Sequence, residues 1–307
     1  MSRKEKSMNS CIRFVNKTVI VVVLALFFGT GNAQDKSIRE LRNNCSELDD
    51  VINEYISSER INNFKDPKNK KSIFYLAKLY MLKSQFCQQD EWQTAIYVLN
   101  GRIKSRSGII VEVTPTWDKN EQLKKTFLLA ICSQKLQDYK TADTLYESII
   151  KKDIPRSLAR FNKSIILLNR KQWTSAELSL GSLLKGDDHQ KSVIFPKDSH
   201  KYPIFRDQNF IDDAQFLLAC CKYYKNHGSL AKNKKLRMEI LAEFAKIERF
   251  YPGSDLADLV ERKAFDRLID FANGKDTKII EKLFKAYMIT LKNGLISKKE
   301  LTKNYHN

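Results

Sequence analysis

Three segments of this chain share one arrangement of apolar and polar positions: an aromatic residue, a small residue three places on, and a large residue four places after that. They are Trp92, Ala95 and Leu99; Tyr139, Ala142 and Tyr146; and Trp173, Ala176 and Leu180. Positions three and four apart share one face of an α-helix, so each segment carries an apolar stripe whose alanine lets a second helix approach closely. An apolar helical segment precedes each one, over residues 73–82, 123–136 and 158–168. The unit these patterns predict is helix, short turn, helix. The second and third copies are 34 residues apart and the first and second 47, which is 34 plus an insertion of 13.

The flanks read as helical caps. A first helix is expected over residues 36–61, with Ile38, Leu41, Leu48, Val51, Ile52 and Tyr55 on its apolar side, followed by a linker to residue 71. Near the other end, Ser254 or Asp255 can cap a helix that Gly274 closes. A last helix then turns Ile279, Ile280, Leu283, Phe284, Tyr287, Met288 and Leu291 inward, and residues 273–307 form a capping helix and tail.

The 34-residue period, with Phe127-Leu128-Leu129-Ala130, Tyr139, Ala142, Tyr146 and Pro155, resembles the tetratricopeptide repeat family. Phe244, Ile247, Tyr251 and Pro252 look like the closing segment of such repeats in bacterial envelope proteins. The resemblance covers residues 72–272 and implies an all-α solenoid of antiparallel helix pairs. It further implies a concave groove lined by first helices, whose positions in the best-matching unit are Lys124, Phe127, Ile131, Gln134 and Lys135. Two cations beside two apolar residues suit an acidic, partly hydrophobic segment. Phe127 and Ile131 could equally pack on the neighbouring helix. A non-repeating helical bundle is the competing fold; length favours the solenoid, because a single core stops growing beyond about 250 residues.

Two insertions interrupt the pattern, residues 101–120 and 185–209. The first holds the β-prone run Gly108-Ile109-Ile110-Val111-Glu112-Val113 and the second holds Ser192-Val193-Ile194-Phe195. They are expected either to pair as a two-stranded ribbon or to stand as independent loops. The second also gathers Asp187, Asp188, His189, Asp198 and His200, but none has a helical ligand spacing, and a solvated loop is the reading preferred over a metal site. No P-loop, GxGxxG, GxSxG, HExxH or CxxC motif occurs. No enzymatic activity, cofactor or metal is therefore expected.

Composition adds an address. Residues 1–17 carry Arg3, Lys4, Lys6, Arg13 and Lys17 against Glu5, and a ten-residue apolar run follows at 19–28. A bilayer crossing needs about 20 apolar residues, whereas a secretory segment needs about 7–15. Gly31 and Ala33 are the small residues that signal peptidase requires before a cut after Ala33. Residues 1–33 thus read as a cleavable signal peptide and the mature chain as exported, periplasmic or envelope-associated, with an uncleaved anchor as the competing reading. Removing five cations and one acid takes the formal charge from +18 to +14. Such a surface attracts polyanions, though export removes nucleic acid as a natural ligand. In an oxidising compartment Cys45 and Cys87, near the ends of neighbouring helices, are the best disulfide candidates, and Cys132, Cys220 and Cys221 read as core.

The function expected is an exported scaffold that binds a protein or peptide partner in the bacterial envelope, with no transmembrane span in the mature chain. Its competitors are a basic module docking on anionic wall polymer or lipid, and an enzyme that uses the 185–209 loop.

Overall fold

The computed structural model describes residues 44–57, 70–87, 89–151, 156–185, 209–250, 256, 263–276 and 278–292. These residues are mostly helical, with eleven α-helices, two short strands and neighbouring helices packed in sequence order. The chain divides into two compact units, one over residues 27–151 and the other holding 152–307. The break between Lys151 and Lys152 falls inside the segment read as repeats.

In the first unit, α1 (Cys45–Tyr55) starts where the Asn44 side chain accepts a hydrogen bond from the Glu47 N–H at 3.1 Å. It buries Leu48, Ile52 and Tyr55, a single stripe, against α2 (Lys70–Phe86). The helix expected over 36–61 ends earlier, at Tyr55, where two serines follow Ile56 and favour turns over helix. Cys45 and Cys87 are bridged, so the start of α1 sits beside the end of α2, and Lys83 on α2 reaches Asp49 on α1 at 2.8 Å. The two helices therefore run antiparallel. Next, α3 (Trp92–Leu99) lays its buried stripe of Trp92, Ala95, Val98 and Leu99 on α2.

The chain leaves α3 through Gly101, at φ +79°; a Cβ there would stand 1.9 Å from the Val113 carbonyl oxygen, so only glycine fits. Strand β1 (Arg102–Lys104) pairs antiparallel with β2 (Ile110–Glu112), with Arg102 opposite Glu112, Ile103 opposite Val111 and Lys104 opposite Ile110. The β-prone run of the first insertion thus finds its partner within that insertion. The second insertion, including Val193, Ile194 and Phe195, lies outside the described residues.

Helix α4 (Lys119–Lys135) opens on a capping box: Asp118 accepts from the Asn120 and Glu121 N–H groups at 2.8 Å each, and Glu121 accepts from the Asp118 N–H at 3.0 Å. It pairs with α5 (Tyr139–Ile150) through buried Ala142, Tyr146 and Ile149.

In the second unit, α6 (Arg156–Asn169) pairs with α7 (Trp173–Leu184) in the same way, burying Ala176, Leu180 and Leu183. The turn between them repeats the turn between α4 and α5. Gln137 and Lys171, 34 residues apart, both take positive φ, +63° and +56°. The Asp138 N–H reaches the Ser133 carbonyl at 2.9 Å, and the Gln172 N–H the Leu167 carbonyl at 2.8 Å. Both are the left-handed helix ending that glycine usually supplies.

Helix α8 (Asn209–Lys225) is the core of this unit, with every residue from 211 to 221 buried. It packs on α6, α7, α9 (Lys234–Phe250) and α11 (Ile279–Lys292). Helix α10 (Lys263–Ala272) packs on α9 and α11, and Gly274 closes it at φ +81°. The packing of α11 on α8 is a return across two intervening described helices, α9 and α10, which sequence-order stacking alone does not supply. Phe244 is fully buried, and Pro252 lies outside the described residues.

Two buried polar groups fasten this unit. Arg237 donates from Nε to the Ala272 carbonyl at 3.1 Å and from a terminal nitrogen to those of Leu230 and Ala231, tying the end of α10 to the turn before α9. Glu243 accepts from Gln215 at 2.8 Å, from Lys246 at 2.7 Å and from Lys222.

Candidate functional site

The five groove positions read from sequence lie along α4, and the structure gives them different surroundings. Phe127 is fully buried, its ring edge-on to Tyr146 with 6.0 Å between centroids, and Ile131 is buried beside it. Gln134 is half-buried and accepts a hydrogen bond from the Tyr146 hydroxyl at 2.8 Å, fastening α4 to α5. These three serve the packing of the helix pair. The two lysines are different. Lys135 is half-buried, with its Nζ 5.8 Å from the centre of the Trp92 ring on α3, and burial holds its ammonium down to about 8.

Lys124 lies half-buried near a group that the sequence pattern does not single out. Lys78 on α2 is only 3% exposed, in the stretch 76–82 where every residue is buried. Burial pushes its ammonium down to about 7, and Lys124 is the charged neighbour that pushes it further the same way. The signal for Lys78 was present, since it is the one charge in the apolar segment 73–82. Amphipathic periodicity treats such a residue as a solvated interruption.

The aromatic flank was also not foreseen. Trp117, on the approach to α4, packs against Phe74 of α2 at 4.8 Å between centroids, and Lys125 holds its Nζ 5.8 Å from the Trp117 ring. Burial lowers the pKa of Lys125 too. The first unit therefore gathers Lys78, Lys124, Lys125 and Lys135 on α2 and α4 among Phe74, Trp92 and Trp117. Such a set favours carboxylate and apolar groups together, because the rings exclude water while the ammonium groups attract negative charge.

Asp187, Asp188, His189, Asp198 and His200 lie outside the described residues, as do residues 1–33. Among the described residues no three His, Cys, Asp or Glu side chains come together to hold a metal ion. No described helix is long and apolar enough to cross a membrane. Cys132 and Cys220 are fully buried, and burial raises both thiols, as it raises Cys221, which makes all three poor nucleophiles. Comparison with known proteins gives no match to a protein-family model, a curated protein or a solved structure.

Proposed function

We propose that this chain is an exported, tetratricopeptide-like scaffold that holds an acidic, partly apolar segment of a protein partner against α2 and α4 in the bacterial envelope. The observation that carries this reading is the approach of two cations from α2 and α4: the buried Lys78 and, near it, Lys124 on the first helix of the next pair. A partner carboxylate seated there meets both cations and offsets the push that Lys124 adds to the burial of Lys78. The lysines at Trp92 and Trp117 extend the same chemistry along α4.

Two further observations support the reading. The turns at Gln137 and Lys171 recur with the 34-residue period and the same hydrogen bonds, as a helical repeat requires. The Cys45–Cys87 bridge belongs to an oxidising compartment, in keeping with a signal peptide over residues 1–33.

The test is a pull-down from envelope extract with residues 34–307, at low and high salt. A discrete protein retained at high salt by the native chain, and lost by Lys124→Glu and by Lys78→Met, supports the groove. Equal retention by both variants moves the partner off α2 and α4. Capture of polyanionic material alone, released as salt rises, overturns the scaffold in favour of electrostatic docking on wall polymer.

A further inference from the structure

We propose that the tip of the β1–β2 ribbon is a docking point for the surface of an anionic lipid bilayer. Ile109 and Ile110, consecutive residues where the ribbon turns, are 64% and 58% exposed, in a place that polar turn residues usually fill. Around them the charge is cationic. Lys104 stands directly opposite Ile110 in the register, and both face outward, while Arg106 lies exposed in the turn. Arg102 meets the acid across from it, Glu112, at 3.2 Å, and among the described residues neither Lys104 nor Arg106 shares an ion pair.

The tip is held rigidly. The Ser105 N–H donates to the Ile109 carbonyl at 2.7 Å, the Ile109 N–H to the Ser105 hydroxyl at 2.9 Å, and the Gly108 N–H to the Ser105 carbonyl at 3.0 Å. Gly108 takes φ +86° to make the turn. Nearer its base the ribbon sinks Ile103, fully buried, beneath α3, and in the turn the Arg106 N–H donates to the Ile56 carbonyl at the end of α1 at 3.1 Å. The isoleucines are presented by a fixed pedestal, so docking them costs little ordering entropy.

Size and charge select the occupant. Two isoleucines fall far short of the roughly 800 Å² per partner that a stable protein interface buries. A soluble polyanion would pair with Lys104 and Arg106 but gain nothing from the isoleucines. A bilayer surface uses both: apolar side chains enter the boundary between headgroups and acyl chains, and basic side chains beside them meet lipid phosphates. This docking is independent of any partner held on α2 and α4.

Co-sedimentation of residues 34–307 with vesicles of phosphatidylcholine, with and without phosphatidylglycerol, tests it, with soluble polyphosphate as the comparison. The native chain is expected to bind the anionic vesicles and not the neutral ones. The double variant Ile109→Ser/Ile110→Ser should lose roughly tenfold or more in vesicle affinity while its polyphosphate affinity and thermal unfolding stay unchanged, and Ile109→Leu/Ile110→Leu should restore binding. Lys104→Glu/Arg106→Glu should weaken both ligands. Native vesicle binding by the serine variant, or no binding of the native chain to anionic vesicles, overturns the proposal.

Discussion

Each unit buries charge, and the two do it in opposite ways. In the second unit Arg237 spends its guanidinium on three backbone carbonyls, and Glu243 meets Gln215, Lys222 and Lys246. Burial alone would raise the Glu243 carboxyl, but those three donors outweigh it and hold it below the usual range. In the first unit Lys78 sits deeper than either, and burial first, then the nearby Lys124, pushes its ammonium down. Donors that outweigh burial keep a group charged and fasten the elements it joins, whereas a like charge added to burial pushes a group toward neutrality. That contrast separates a structural network from a candidate site more sharply than exposure does.

The contrast breaks most forcefully at Arg237. Arg237→Met keeps the bulk of the side chain but strips a buried clamp from the Leu230, Ala231 and Ala272 carbonyls, and should cost about 3–5 kcal/mol in chemical denaturation. A loss under about 1 kcal/mol would mean those carbonyls find other donors. The first unit has a covalent tie in that role. Cys45→Ser/Cys87→Ser should lower stability by about 2–4 kcal/mol, since the bridge spans 42 residues of sequence and restricts the unfolded chain. Reduction of the native protein should reproduce the loss.

Lys78→Met should act with the opposite sign. The unfolded lysine titrates near 10.4 and the folded one at about 7, so between those values the unfolded chain holds a proton that the folded chain does not. Stability therefore rises with pH across that window and is flat below it. Replacing the ammonium with an apolar side chain of similar length should add about 1–4 kcal/mol at neutral pH and remove most of the slope. Lys135, at about 8, leaves a smaller slope of the same sign above that value. If Lys78→Met gains stability and loses the partner, the lysine is there for binding. A destabilised variant would put Lys78 with Arg237 and Glu243 as a fastening group.

Legibility in the sequence divides along physical lines. The stripes at Trp92, Tyr139 and Trp173 could be read because core-facing positions repeat at helical spacing, and Ala95, Ala142 and Ala176 are all fully buried. The Cys45–Cys87 pair could be read from two helix ends. Strand β1 escaped notice because three residues, Arg102–Lys104, are too short to show alternation, and their pairing is set by the glycine turn at 108 rather than by propensity. Of the groove positions, Phe127, Ile131 and Gln134 went to packing because α4 also meets α5, a demand that a one-helix pattern cannot weigh. Lys78 was missed for a related reason: its neighbour Lys124 is 46 residues away in sequence.

The smallest expected effect bears on whether the units share a repeat at all. Gln137 and Lys171 hold left-handed backbone that costs a residue with a Cβ about 1–2 kcal/mol, and both do so to let the following N–H return to the carbonyl five residues back. Glycine removes that cost but loses about 0.4–1 kcal/mol through its freer unfolded chain. Gln137→Gly and Lys171→Gly should each therefore raise stability by about 0.5 kcal/mol, and by similar amounts, because the two turns carry the same hydrogen bonds at the same repeat position. Paired denaturation curves would show it. A gain at one site and a loss at the other would mean that the 34-residue spacing joins two unrelated turns, and the tetratricopeptide-like reading would then rest on the apolar stripes alone.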